Sequence, residues 1–186
     1  AAKLYLKFKD AKYLADAKIL CAYVNANILK SDYRVGEPPL TYTQGTFGEA
    51  CRQLYHITQE QSYMAIAEQV ISYAFTSTRC TNKGFLRDEG TDMNQSIFKA
   101  VLIPYAVNLV LDDAASGTVG NTLTLKLQDN AEALRKNMDR TQWPAMYCNY
   151  YWGSSFNSAN IASMGAQASG ASLMEGVARL EAAQAK

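Results

Sequence analysis

The chain has 186 residues, of which 48% are hydrophobic and 19% are charged, a composition typical of a folded globular domain and not of a disordered segment. Its 18 basic and 17 acidic residues nearly balance and form no basic run, so we expect no nucleic-acid partner. The longest apolar stretch, 100–111, is interrupted by Pro104 and Asn108 and is too short for a transmembrane segment. We expect a single domain over 1–186. No signal peptide is recognisable at Ala1, although a secreted protein whose signal has been removed fits equally well.

Cysteines and histidine carry no metal or redox signature. The sequence has four cysteines and one histidine, His56, and contains neither a CxxC pair nor metal-ligand spacing around that histidine. We therefore predict no metal site and no cofactor. Cys21 and Cys51 fall at apolar helix positions and are interpreted as buried thiols, while a Cys80–Cys148 bridge stays open. Without a Gly-x-Ser-x-Gly motif beside it, His56 is interpreted as a residue at a helix C-terminus.

An internal repeat organises the first part of the chain. Each copy is predicted to contain the end of one helix, a short turn and a second helix, with apolar residues at helical spacing. Such hairpins bury their apolar faces only by stacking on neighbours, so an incomplete stack is expected to leave apolar faces uncovered. The matching positions, fifty residues apart, are Leu4-Tyr5, Asp10, Tyr13-Leu14, Ala17 and Tyr23 in the first copy, and Leu54-Tyr55, Glu60, Tyr63-Met64, Ala67 and Tyr73 in the second.

A polar stretch, 41–46, follows a loop and leads directly into an apolar helix. Thr41 or Thr43 is expected to cap this helix through its hydroxyl. Tyr42 and Gln44 then lie at the N-terminal mouth of the helix, where N–H groups and side-chain donors suit a polyhydroxylated ligand. The structural alternative for Gln44 is an amide whose hydrogen bonds are all made within the loop.

The rest of the chain is also predicted to be helical, which gives an all-α protein built of helical hairpins. No convincing strand is recognised. The predicted segments are a turn at 82–84, an extended polar stretch at 84–92, a helix at 94–111 bent by Pro104, a flexible link at 116–121, a helix from Thr122 or Thr124 to about Met138, an irregular aromatic stretch at 143–160, and a last helix at 162–183.

Three inner helices are predicted to present their N-termini at one mouth, near 42–44, 87–95 and 147–167. Together these segments offer carboxylates, amides, hydroxyls and aromatic rings. That mixture suits a sugar, because polar groups bind its hydroxyls and rings pack on its C–H faces. Helix capping is the structural alternative for Glu89 and Asp92, and core packing is the alternative for Trp152.

Asp112 and Asp113 form an adjacent acidic pair, and glycoside cleavage generally uses two carboxylates. The pair follows the C-terminal end of an inner helix, at the opposite end from the predicted mouth. Small and flexible linker residues come directly after it. We therefore interpret the pair as a solvated helix end and predict no catalytic role for it.

Four segments of the sequence form an ordered set of motifs: 41–46 (Thr-Tyr-Thr-Gln-Gly-Thr), 54–67 (Leu-Tyr … Tyr-Met … Ala), 97–101 (Ile-Phe-Lys-Ala-Val) and 168–174 (Ala-Ser-Gly-Ala-Ser-Leu-Met). In this order they resemble glycoside hydrolase family 76, the α-1,6-mannanase-like proteins. Thr43 stands where that family has Asn, and Ala100 stands where it has Gly.

The resemblance implies an (α/α)6 toroid, of which this chain represents about the second half. The family's catalytic centre is an adjacent Asp-Asp pair followed by aromatic residues in the N-terminal half, and no such segment is present in 1–186. The resemblance therefore implies a retaining hydrolase acting on α-mannan, with no catalytic residue in this chain. Substrate contacts are predicted at Tyr42, Gln44, Glu89, Asp92 and Trp152.

The resemblance also implies an extracellular, periplasmic or cell-surface location and a monomer when complete. Two alternatives stay open. One is a non-catalytic carbohydrate-binding or cell-wall-associated toroid. The other is a different (α/α)6 enzyme such as a lyase or epimerase, which would normally rely on histidines, and this chain has one.

Overall fold

A computed structural model describes residues 1–141, 144–156 and 163–185. These residues are predominantly helical, as predicted, with one two-stranded antiparallel hairpin. The helices are α1 (Ala2–Phe8), α2 (Ala11–Asn27), α3 (Thr41–Thr58), α4 (Gln61–Thr76), α5 (Met93–Ser96), α6 (Phe98–Val110), α7 (Gly117–Asn137) and α8 (Met164–Gln184), and the strands are β1 (Thr81–Asn82) and β2 (Phe85–Leu86).

The internal repeat is confirmed down to its backbone conformation. Lys9 ends α1 in the left-handed region with φ 57°, and its N–H donates to the carbonyl of Tyr5. Fifty residues later, Gln59 ends α3 with φ 62°, and its N–H donates to the carbonyl of Tyr55. A left-handed residue after the last turn is a common way to end a helix. The two hairpins α1–α2 and α3–α4 therefore share one turn geometry.

The helices form two layers. Contacts link α1, α3, α6 and α8 in that order, while α2 packs on α3, α4 packs on α3 and α6, and α7 packs on α6 and α8. The connections that lead into α3, α6 and α8 are long, and those that lead into α2, α4 and α7 are short. Because inner and outer helices alternate along the chain, the N-termini of α3, α6 and α8 lie at one end of the layers. We call this end the mouth.

Close packing of α3 against its neighbours depends on two glycines. A Cβ atom on Gly45 would lie 2.8 Å from the Cα of Leu102 in α6, and one on Gly48 would lie 2.5 Å from a side-chain carbon of Ile71 in α4. Both separations are shorter than real Cβ contacts, so these positions require the smallest residue.

Within the described residues, the buried apolar side chains form two clusters. The larger one joins α4, α6, α7 and α8 around residues such as Phe75, Leu102 and Leu173. The smaller one joins α2, α3 and α4 around Phe47 and Leu54. Apolar side chains near the start of the chain stay exposed, as expected for an open stack; they include Phe8, Ile19, Leu20 and Tyr23.

Several predicted boundaries are wrong. The helix expected at 94–111 is divided at Ile97 into α5 and α6, with Pro104 inside α6. The expected link at 116–121 is already helical from Gly117, so Thr122 and Thr124 lie inside α7, where their hydroxyls bond carbonyls one turn back and do not cap a helix. The turn at 82–84 is confirmed, but short strands flank it. In the predicted irregular stretch, Trp143 and 157–160 lie outside the described residues, as does Ala162, the expected start of the last helix.

No helix within the described ranges is both long and apolar enough to cross a membrane.

Candidate functional site

Glu89 holds the N-terminus of α3 at the mouth. Its carboxylate accepts a 2.6 Å hydrogen bond from the backbone N–H of Thr41 and a second bond from the Thr41 hydroxyl. Leu40 is the N-cap residue and has no side-chain hydrogen bond, so the predicted capping by a threonine hydroxyl is wrong. Burial raises the pKa of the Glu89 carboxyl, although the bonds from Thr41 and the charge of Lys99 work against it.

A buried lysine lies beside this carboxylate. The Lys99 side chain enters from α6, and the residue is 4% exposed. Its Nζ donates to the carbonyl of Tyr150 and lies 4.1 Å from the centroid of the Trp152 ring, a cation–π distance. Burial lowers the pKa of Lys99 to about 8, while the charges of Glu89 and Asp88 oppose that change. We refer to Glu89, Lys99 and Trp152 as the mouth cluster.

Trp152 lies in the core of the mouth cluster. It is 1% exposed, and its indole Nε1 is buried without a hydrogen-bond partner in the described part of the chain. Its backbone carbonyl accepts a 2.9 Å bond from the Asn137 amide at the end of α7. This is the core-packing arrangement considered as the alternative for Trp152, so a direct sugar contact would require the ring to become exposed.

Tyr42 is the accessible aromatic residue of the mouth. It lies in the first turn of α3, is 36% exposed, and packs against Phe98 in the first turn of α6 with ring centroids 4.4 Å apart at 48°. Tilted packing at this distance is favourable and holds the ring in place. The pair forms an aromatic surface between two helix N-termini.

Gln44 is completely buried. Its side-chain oxygen accepts a 2.5 Å bond from the N–H of Val35, and its side-chain nitrogen donates to the carbonyls of Tyr33 and Val70 at 3.3 Å. The amide thus holds the 28–40 loop to α3 and α4, as in the structural alternative. Its predicted contact with a glycan would require these bonds to break.

Asp92 caps α5. Its Oδ1 accepts bonds from the N–H groups of Asn94 at 2.8 Å and Gln95 at 2.9 Å, and the residue is exposed. Ser163 caps α8 in the same way, accepting from the N–H of Ala166. The predicted acidic residues of the mouth therefore stabilise helix starts, and one oxygen of Asp92 accepts both capping bonds while the residue remains open to solvent.

A second polar cluster lies at the opposite end of the inner helices. Asp112 accepts a 2.6 Å bond from Arg52 and lies 2.5 Å from His56 Nε2, while Arg52 also pairs with Glu49 at 2.8 Å. The Asp112 side chain is 4% exposed, so its predicted solvation is wrong. Asp113 is exposed as predicted. We refer to Glu49, Arg52, His56 and Asp112 as the far-end network.

The far-end network neutralises its own charges. Burial favours a higher pKa for Asp112, but hydrogen bonds from His56 and Arg52 outweigh it, so the pKa lies below its ordinary value. His56 lies in the last turn of α3, as predicted. Arg52 and Glu49 were not predicted as site residues; their spacing of three residues, with His56 four residues further on, was the available signal.

One face of α3 runs from the mouth to the far-end network. Positions 42, 46, 49, 53 and 56 are three or four residues apart and therefore lie on one side of the helix. Lys3 of α1 approaches this side, with its Nζ 3.9 Å from Glu49 and 5.4 Å from the ring centroid of Tyr105 in α6. Polar side chains from three inner helices thus converge between the mouth and the far end.

The described residues contain no group of three or more His, Cys, Asp or Glu side chains arranged to hold a metal ion. The side chains described at the mouth offer carboxylates, an amine, amides and aromatic rings.

Comparison with known proteins identifies relatives of this arrangement. The sequence profile of glycosyl hydrolase family 76 matches residues 1–185. Among curated protein sequences, there is no significant match.

Solved structures match the fold over nearly the whole chain. The α-1,6-mannanase GH76A from Salegentibacter sp. HEL1_6 superposes with a TM-score of 0.87 at 23% identity, covering 96% of this chain and 56% of that one. An inactive variant of the same enzyme, with two adjacent aspartates replaced by alanine and with α-1,6-mannotetrose bound, gives a TM-score of 0.87 at 25% identity with the same coverage. The Lin0763 protein from Listeria innocua gives 0.82 at 23% identity, covering 97% of this chain and 52% of that one.

These matches confirm the predicted all-α fold and its (α/α)6 arrangement. The chain spans about half the length of the solved structures that it matches.

Proposed function

Since the chain belongs to glycosyl hydrolase family 76, we propose that it forms one wall of the substrate cleft of a glycoside hydrolase acting on α-1,6-linked mannan. The observation that carries this proposal is the superposition on an α-1,6-mannanase over 96% of the chain, together with a family match over 1–185. An extracellular or cell-surface location is part of the same proposal, because a mannan polymer is encountered there.

The catalytic carboxylates are proposed to come from outside 1–186. Retaining hydrolysis needs two carboxyl groups about 5 Å apart on either side of the scissile bond. In this chain, Glu89 is bonded to the start of α3, Asp92 caps α5, and Asp112 is neutralised at the far end. The loss of activity in a related mannanase that lacks two adjacent aspartates supports this assignment.

Tyr42 is the residue that we assign to direct glycan contact. Its ring is exposed at the mouth and held by Phe98, and an aromatic face of this kind packs on the C–H face of a pyranose. Asp92 is proposed to accept hydrogen bonds from sugar hydroxyls through its exposed carboxylate. Gln44, Glu89 and Trp152 are proposed to act indirectly, because burial and internal bonds place them beneath this surface.

The test uses the full-length protein that carries residues 1–186 and α-1,6-mannotetraose as the probe. We expect shorter mannose oligosaccharides to appear, and we expect Tyr42→Ala to weaken binding by about tenfold, equivalent to about 1.4 kcal/mol. Tyr23→Ala is the matched control, because Tyr23 is 60% exposed on the outer helix α2. It should leave binding and cleavage unchanged.

The outcomes separate the two functions that fit a toroid of this kind. Binding without any cleavage would favour the non-catalytic carbohydrate-binding protein and overturn the hydrolase. Equal losses in the Tyr42 and Tyr23 variants would remove Tyr42 from the glycan surface. Absence of both binding and cleavage would overturn α-1,6-mannan as the ligand.

A further inference from the structure

Two cysteines from different helices meet in the smaller apolar cluster. Cys21 of the outer helix α2 and Cys51 of the inner helix α3 have sulfur atoms 3.7 Å apart. Cys51 is 0% exposed and Cys21 is 6% exposed, and both are free thiols. Cys80 differs, since its sulfur is directed at the carbonyl of Pro39 at 3.8 Å. The Cys80–Cys148 pairing left open by the sequence is not formed, because both are free thiols.

The surroundings of the pair leave one sulfur approachable. Cys21 lines an apolar cavity of about 410 Å³ together with Ala17, Val24 and Phe47. The hydrogen bond with Cys51 lowers the pKa of Cys21, whereas the same bond and burial raise the pKa of Cys51. Because the thiolate is the nucleophile in disulfide exchange, Cys21 is the sulfur that reacts first.

We propose that Cys21 and Cys51 form a disulfide bond that joins the outer helix α2 to the inner helix α3 when the protein meets a low-molecular-weight disulfide such as oxidised glutathione. The Cys21 thiolate attacks one sulfur of the reagent, which forms a mixed disulfide and releases one glutathione thiolate. The Cys51 sulfur then attacks Cys21 and releases the second. Two protein thiols become one disulfide, the two protons go to two glutathione thiols, and the reagent is reduced.

The bond would act where the packing is weakest. Along its 17 residues, α2 buries Ala17 and Cys21. It packs on α1, which buries no residue, and on α3. Cys51, in contrast, lies in the middle of a helix that packs on both α4 and α6. A covalent link between the two sulfurs therefore anchors the sparsely buried hairpin α1–α2 to a helix that is packed on two further helices, and restricts the unfolded chain over the enclosed loop.

The experiment is peptide mapping of the full-length protein after treatment with oxidised glutathione, beside a sample reduced with dithiothreitol. Trypsin cuts after Lys18, Lys30, Arg34 and Arg52, which places Cys21 in peptide 19–30 and Cys51 in peptide 35–52. We expect the oxidised sample to contain these two peptides as one cross-linked species that reduction separates. Recovery of both cysteines as alkylated thiols, or of Cys21 as a stable glutathione adduct, would overturn the proposal.

Variants then test the effect of the bond on stability. The oxidised wild-type protein should melt several degrees above the reduced protein, and Cys21→Ala should abolish that difference. Cys80→Ala is the matched control, because Cys80 is equally buried but has no sulfur neighbour among the described residues, and it should keep the difference. If Cys21→Ala does not fold, the wild-type peptide map decides the proposal alone.

Discussion

The mouth cluster and the far-end network contain the same kinds of charged side chain but satisfy them differently. At the far end, Asp112 forms an ion pair with Arg52 and lies within hydrogen-bond distance of His56, so the charge of Asp112 is compensated by Arg52. At the mouth, Glu89 is bonded to Thr41, and Lys99 is bonded to a backbone carbonyl and lies against a tryptophan ring. No ion pair joins Glu89 and Lys99 within 4.0 Å in the described part of the chain.

The pKa values show that the far end favours the charged form of its carboxylate, whereas the mouth disfavours the charged forms of its side chains. Asp112 has a lowered pKa because its hydrogen bonds favour the charged form, whereas Glu89 has a raised pKa and Lys99 a lowered one because burial favours their neutral forms. The far-end network therefore stabilises the fold with its charges. The mouth cluster keeps charges at a cost in stability, which is typical of positions shaped by function.

The largest effect is expected from breaking the far-end network. Asp112→Ala leaves Arg52 beside His56 without their shared carboxylate, and should lower the free energy of unfolding at neutral pH by about 3 kcal/mol. Chemical denaturation measures this value. The wild-type contribution should be fully present above pH 3.8 and should be lost progressively as the pH falls below that value through the lower folded pKa of Asp112.

Asp113→Ala is the matched control for Asp112. Asp113 is the next residue and is exposed, so its removal should change the free energy of unfolding by less than about 0.5 kcal/mol. Equal effects of the two substitutions would show that the far-end network does not stabilise the fold.

The next effect should appear at alkaline pH in Lys99→Met, which keeps an unbranched side chain, one atom shorter, and removes its charge. An unfolded lysine holds its proton up to about pH 10.5, whereas folded Lys99 releases it at about pH 8. Between these values the unfolded state binds more protons, so the wild-type protein should gain about 2 kcal/mol relative to the variant as the pH rises. Urea denaturation from pH 7 to pH 10 measures the gain.

Lys30→Met is the corresponding control, because Lys30 is exposed and its removal should change the free energy of unfolding by the same amount at every pH. A gap between wild type and Lys99→Met that stays constant with pH would mean that Lys99 is solvated like Lys30.

Local sequence signals predicted the elements but not their polar partners. The repeat that pairs Tyr5 with Tyr55 predicted two hairpins with the same turn, because a turn depends on a few adjacent residues. The far-end bond between Arg52 and Asp112 joins residues 60 positions apart, and the bond between Thr41 and Glu89 joins residues 48 positions apart. Such partners depend on how helices pack, which a single sequence leaves undetermined.

The same limit explains why the location of the candidate site residues could be predicted but their burial could not. Residue type and position placed Tyr42, Glu89 and Trp152 near one mouth, because the N-termini of stacked inner helices meet there. Their solvent exposure differs in the structure, since Tyr42 is 36% exposed and Trp152 is 1% exposed. Lys99 was not among the predicted site residues, although a lysine in an apolar helix stretch is a signal that its charge needs a specific environment.

The smallest effect is expected from Glu89→Gln, which keeps the shape of the side chain and an oxygen that accepts from Thr41. A carboxyl with a raised folded pKa stabilises fully below its unfolded pKa of about 4.5 and loses that contribution as the pH rises through the folded value. The variant should therefore be at least as stable as the wild-type protein at neutral pH, and any advantage should vanish in acid. Glu175→Gln, at an exposed position of α8, should show no such pH dependence. If Glu89→Gln is instead destabilised at neutral pH as strongly as Asp112→Ala, the charge of Glu89 supports the fold, and the contrast between the mouth cluster and the far-end network fails.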